Sequence, residues 1–138
     1  MEPCPICKEN MQSSSMGTRD AYSVSCPRCG NYHLTRTALV NLRNTQLSVR
    51  QRANISGWLF ENQVFEVTTK NIDWLCEIPT PSFHERADKI LLGLEKLTTF
   101  AGQYLHSDSS WISKAWCINA DELNETLQYL EAVPRIHT

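Results

Sequence analysis

Four cysteines constrain this chain more than anything else in it. Cys4, Cys7, Cys26 and Cys29 stand in the spacing C-x2-C-x18-C-x2-C. Two thiols three positions apart form a knuckle, a tight turn in which both sulfurs point to one side and backbone N–H groups point at them. Pro5 and Pro27 preset one backbone angle in each turn. Gly30, directly after the second pair, permits the left-handed conformation that ends such a turn. Two facing knuckles supply four sulfurs in a tetrahedron, the arrangement that structural Zn2+ takes. Four thiolates leave no coordination position open, so the expected role is structural rather than catalytic. The competing reading is a set of free or redox-active thiols. His33, four residues past Cys29, is a surface or packing residue on this reading, although it is chemically able to replace a cysteine.

The cellular setting bears on that choice. The chain of 138 residues is 41% hydrophobic and 20% charged, ordinary values for one domain or two very small ones. No apolar run is long enough to cross a bilayer, and the polar, cysteine-bearing start is unlike an export signal. The expectation is therefore a cytoplasmic protein with no membrane partner, in a reducing compartment where paired cysteines hold metal rather than disulfides. Cys76 and Cys117 lie singly among apolar residues and read as core thiols. Nothing near them in sequence lowers a thiol pKa as a Cys–His nucleophile needs.

Between the knuckles, "QSSSMGTRD" reads as a loop or hairpin tip, and "AYSVS" alternates as a strand should. The first 35 or so residues resemble the zinc ribbon, a broad family of small zinc-stapled β modules. That resemblance implies a β-hairpin with two cysteine knuckles. It leaves function open, because ribbons serve in nucleic-acid-binding proteins, in interaction modules and as plain scaffolds. A unit of this size cannot bury enough apolar area alone, so zinc is its staple.

Helix signals dominate the remainder. Thr35 caps "RTALVNLRN", whose Ala38, Leu39 and Leu42 share a face. Ser48 and Gln51 form a capping box for "VRQRANISGWLFEN", with a buried stripe of Ile55, Trp58 and Leu59. Gly57 inside it costs about 1 kcal/mol against Ala and signals close approach of another backbone. "QVFEVTTKN" is expected extended, and "NIDWLCEI" is a short helix stopped by Pro79. Ser82 and Glu85 cap the strongest helix, in which Ala87, Ile90, Leu91, Leu94, Leu97 and Ala101 repeat at helical spacing, with Gly102 as its stop. "WISKAWCIN" reads as a strand or extended piece. Asn119 and Glu122 cap a last helix with Leu123, Leu127 and Leu130 inward, ended by Pro134 before an extended "RIHT".

The fold class expected is α+β and mainly helical, with a zinc ribbon over residues 1–35 and a helical domain over 36–138. Its helix–strand–helix–extended order resembles the latter part of a winged-helix domain. The last residues before Thr138, where no wing has closed, read as a tail or as the end of an excised N-terminal piece of a longer protein, and the second is the expectation. The strings "CPRCGNYHLT", "ISGWLFEN", "ERAD" and "INADELNETLQYLE" also resemble the N-terminal region of certain bacterial proteins. In those proteins a zinc ribbon and helices precede a nucleoside-deoxyribosyltransferase-like or TIR-like domain. Nothing here corresponds to that later domain, so the resemblance carries over no catalytic residue.

Candidate chemistry beyond the thiols is sparse. "HERAD" places His84, Glu85 and Asp88 near one helical turn, but it lacks the second histidine of a zinc-protease helix, and acidic residues there serve capping and the helix dipole. With five glycines and no phosphate-cradling loop, neither a nucleotide nor another small-molecule substrate is expected. Charge is uneven: residues 1–60 carry seven basic and three acidic side chains, net +4, so the overall −2 leaves −6 on the rest. Arg28 is expected to project from the second knuckle toward phosphate or a base edge. Arg36, Arg43 and Arg50 recur every seven residues, and Tyr22 and Tyr32 offer stacking faces. The competing reading is a solvated basic face with tyrosines covering a small core. The tryptophans (Trp58, Trp74, Trp111, Trp116) read as core anchors.

The function expected is a non-enzymatic, zinc-binding recognition or regulatory module. Nucleic acid is the first partner. The alternative is a protein-interaction or self-association region of a larger bacterial effector, with anti-phage defence as one setting. The first predicts salt-steep affinity that depends on Arg28, Arg36 and Arg43. The second predicts an exposed apolar surface. An enzyme would need a cleft with convergent polar groups.

Overall fold

In the computed structural model, which describes residues 2–97 and 109–132, the first strand starts at the second residue. Strand β1 (Glu2–Pro3) pairs antiparallel with β2 (Asn10–Ser15) across the first knuckle. Strand β2 pairs with β3 (Ala21–Cys26), which pairs with β4 (Gly30–Thr35) across the second knuckle. Period-two alternation in β3 buries Val24 and Cys26, and in β4 it buries Tyr32 and Leu34; Ala21, at the start of β3 and of the other parity, is buried as well. The residues Gln12–Ser15, expected as loop, are strand. They face solvent on both sides, so their sequence carries no alternation, and the pairing with Tyr22–Ser25 is what fixes them.

Thr35 ends β4 and caps helix α1 (Arg36–Arg43), its hydroxyl accepting the Ala38 N–H at 3.2 Å. Helix α2 (Val49–Glu61) starts at the Ser48–Gln51 capping box with both reciprocal bonds formed. The two-residue strand β5 (Glu66–Val67) then lies parallel to β4, completing a five-stranded sheet in chain order. Helix α3 (Ile72–Cys76) follows, and Pro79–Pro81 leads to α4 (Phe83–Leu97), capped by Ser82 and Glu85 in both directions.

Of the segment expected as a strand or extended piece, Trp111–Lys114 lie in helix α5 (Ser109–Lys114), and the rest is the connection to α6 (Ala120–Ala132). This replaces the helix–strand–helix order on which the winged-helix likeness rested with three helices. Asn119 caps α6, its side-chain oxygen accepting the Glu122 N–H at 2.9 Å. The Gly102 stop, the side chains of Leu94, Leu97, Ala101 and Leu130, and the segment from Pro134 on lie outside the described residues.

Two apolar clusters result. The first joins the knuckles and sheet to α1, α2 and α3, running from Cys4 to Leu75, so its packing continues across residue 35. The second gathers Ala87, Ile90, Trp111, Ala115, Cys117 and Leu123 from α4, α5, α6 and the connection between α5 and α6. Helix α2 packs against both β4 and α5. Among the described residues, no helix is long and apolar enough to cross a membrane.

Candidate metal centre

Both knuckles close in the same way. In the first, the Cys4 carbonyl accepts the Lys8 N–H at 2.9 Å and Lys8 holds φ 70°. In the second, Cys26 pairs with Gly30, which holds φ 80°. A lysine thus fills in the first knuckle the left-handed position that glycine fills in the second. A Cβ at Gly30 would also strike the Gln63 amide, whose oxygen accepts the Asn31 N–H at 2.7 Å just beyond.

The turns bring the four sulfurs together as the spacing implied. Cys4 and Cys29 Sγ lie 3.8 Å apart, Cys7 and Cys26 Sγ 3.3 Å apart, and all four within 4.8 Å of one another. A tetrahedral zinc with bonds of about 2.3 Å needs sulfurs separated by about 3.8 Å. All six cysteines are free thiols rather than disulfides, and the four are buried. The donor set and geometry therefore fit a closed Zn2+ site.

Polar groups stand around the sulfurs. Tyr32 Oη sits 3.1 Å from Cys4 Sγ, Ser56 Oγ sits 3.2 Å from Cys29 Sγ, and the Cys29 N–H points at Cys26 Sγ from 3.5 Å. Hydrogen bonds from the Cys26, Cys29 and Cys7 thiols hold the Cys4 thiol well below its ordinary value, against burial, and the Tyr32 hydroxyl adds to them. The Cys29 thiol is pushed well above its ordinary value, chiefly by burial. Burial, then the charge of Cys4, pushes Tyr32 up as well, keeping its hydroxyl a donor. A divalent cation bound here would displace the remaining thiol protons and draw all four cysteines to thiolate.

The centre is also wired to the helices. Ser56, on α2, lies 3.0 Å from Ser113 Oγ on α5. Arg28, inside the second knuckle, donates to the carbonyls of Cys117 and Ile118, each at 3.2 Å. Arg52, on α2, donates to the carbonyl of Ile6 inside the first knuckle at 3.3 Å. These partners are 46 to 90 positions apart in the chain, and no local sequence signal marks them.

The residues expected to meet nucleic acid are differently placed. Arg28 is 9% exposed and anchored to those carbonyls instead of projecting. Tyr32 is fully buried behind the sulfurs, so its ring offers no stacking face. Arg36 is exposed but pairs with Asp20 at 3.0 Å. Arg43 pairs with Glu2 at 2.7 Å. Arg50 turns inward onto Glu122, Nη1 to Oε1 at 3.1 Å and Nη2 to Oε2 at 2.6 Å. Arg36 and Arg43 lie seven positions apart on α1, whereas Arg50, on α2, is engaged by Glu122.

The tryptophans divide too. Trp111 and Trp116 are buried and Trp58 is half-buried, but Trp74 is 51% exposed. It stands edge-on to Trp58, ring centroids 5.1 Å apart, at the wall of an open trough of about 570 Å3. Cys117 is buried as expected, its thiol pushed up chiefly by burial, and Cys76 is partly buried.

Fold and centre together define an α+β protein with a buried four-cysteine site of metal-binding geometry. No protein-family model matches the chain, and no curated protein or solved structure shows significant similarity to it.

Proposed function

We propose that this is a non-enzymatic recognition module of zinc-ribbon type, in which a structural Zn2+ on Cys4, Cys7, Cys26 and Cys29 sets the frame and a protein segment is the ligand. The four-sulfur geometry supports the metal, and its closed donor set supports a structural role. The choice of a protein partner over nucleic acid rests on one observation: the arginines of the basic half are engaged within the molecule. Arg28 is buried on carbonyls, Arg50 is clasped by Glu122, and Arg36 and Arg43 face carboxylates. A phosphate backbone would have to compete with those carboxylates, whereas the exposed Trp74 offers apolar area of the kind protein interfaces use.

Elemental analysis of purified protein should find one zinc per chain. The partner class is tested by titrating labelled DNA and RNA across a salt series beside a panning of the zinc-loaded protein against a random peptide library. The expected result is selected peptides whose binding is lost in Trp74→Ala, with no salt-steep nucleic-acid binding. Affinity for DNA or RNA that falls steeply with salt, with no peptide selected, overturns the protein reading.

A further inference from the structure

The trough beside Trp74 has a chemistry of its own. Trp58 and Trp74 form one wall, Pro79 and Pro81 follow, and Glu77 and Glu85 stand among its lining residues. Glu77 sits one turn beyond Trp74, its N–H donating to the Trp74 carbonyl at 3.1 Å. Among the described residues Glu77 makes no ion pair. The Glu85 carboxylate accepts the Ser82 N–H at its helix start, at 3.1 Å, and feels the charge of Lys89 four residues on.

The molecule already displays what such a combination binds. Lys89, which also lines the trough, places its ammonium 4.6 Å from the centroid of the Trp116 ring and 3.0 Å from Glu61 Oε2. Glu61 in turn accepts the Trp116 indole N–H at 2.6 Å. Here cation, indole face and carboxylate form one assembly. The same components recur at Trp74 and Glu77, where no described residue supplies the cation. Among the residues lining the trough two carboxylates, Glu77 and Glu85, stand against the one ammonium of Lys89, which Glu61 already pairs. A cation over an indole is held by the ring quadrupole, and a nearby carboxylate strengthens the hold.

We propose that this trough binds an arginine or lysine side chain of a basic, extended segment in a partner protein, laid on the Trp74 indole and faced by Glu77 and Glu85. The inference rests on the protein-recognition reading and names the chemistry of the ligand. An acidic or nucleic-acid partner would meet the carboxylates and be repelled.

The test uses two blocked peptides, one with two arginines in a glycine–proline frame and a twin with norleucine at both positions. Binding to the full zinc-loaded chain is read from the indole N–H resonances. The arginine peptide should shift the Trp74 resonance and bind more tightly than its twin. Its affinity should fall about fivefold or more in Trp74→Ala and in Glu77→Gln/Glu85→Gln. Glutamine at position 85 retains the helix cap, and zinc content checks that each variant is folded. Equal binding of both peptides, or an unchanged affinity in the glutamine variant, overturns the cationic ligand while leaving protein recognition standing. Failure of every peptide, together with salt-steep DNA binding, overturns the underlying reading as well.

Discussion

Trp116 holds φ 53°, a left-handed conformation that costs a residue with a side chain about 1–2 kcal/mol. Its surroundings offset that cost. The indole N–H is held by Glu61, the ring carries Lys89, and the ring lies directly over Gly57. The glycine in the middle of α2 marks close approach as expected, but the approaching group is an aromatic ring rather than a backbone. A methyl group at position 57 would occupy the space of the indole. Gly57→Ala gains about 1 kcal/mol of helix propensity, and displacing a packed ring costs more, about 1–3 kcal/mol. The variant should therefore be less stable in urea unfolding, by about 1 kcal/mol. A more stable variant would show that the ring has room to move.

Between elements, the tie of greatest consequence joins α2 to α6. Glu122 accepts both Arg50 nitrogens, the Ile118 N–H at 2.9 Å, and a longer contact from Arg86 at 3.9 Å. Burial alone would raise its carboxyl. The Arg50 hydrogen bonds, the Ile118 N–H and the charges of Arg50 and Arg86 outweigh burial and lower it from the ordinary 4.5. A carboxyl more acidic in the folded chain contributes stability that is complete above its unfolded value and is lost as pH falls through its folded value. Glu122→Gln should thus cost about 2 kcal/mol near neutral pH, because the pair is charge-assisted and mostly buried. The gap to the parent protein should close as pH is lowered below 4.5. Measuring the difference at each pH cancels the acid sensitivity of the thiol site. A gap that stays constant would assign the loss to packing. Helix α5 shows how an element escapes sequence reading. Its six residues are too few for a helical period to show, and Trp111, Ser113 and Ala115 are buried in alternation like a strand.

At the scale of the molecule, the four-cysteine site belongs to the first core and is linked by hydrogen bonds to the second. The Cys29–Ser56–Ser113 contacts and the Arg28 bonds to Cys117 and Ile118 run from the knuckles into the α4–α6 cluster. A structural zinc contributes on the order of 10 kcal/mol in small domains, so the removal of one held by these cysteines should be felt along those links. Chelation should speed amide hydrogen exchange in α6 together with that in β3 and β4. Protection of α6 that survives chelation would show the helical cluster to be independent of the metal.

The sequence alone determined the local geometry. The cysteine spacing with its prolines and Gly30 defined both knuckles, and Thr35, Ser48 and Ser82 placed three helix starts, because each depends on groups within three or four positions. The tertiary structure decided the surface. It buried Arg28, turned Arg50 inward and Tyr32 behind the sulfurs, and left Trp74 exposed. Those outcomes depend on partners such as Cys117 and Glu122, 89 and 72 positions away. At that separation only packing fixes the distance between two charges, or between an aromatic ring and water, and composition carries no record of it.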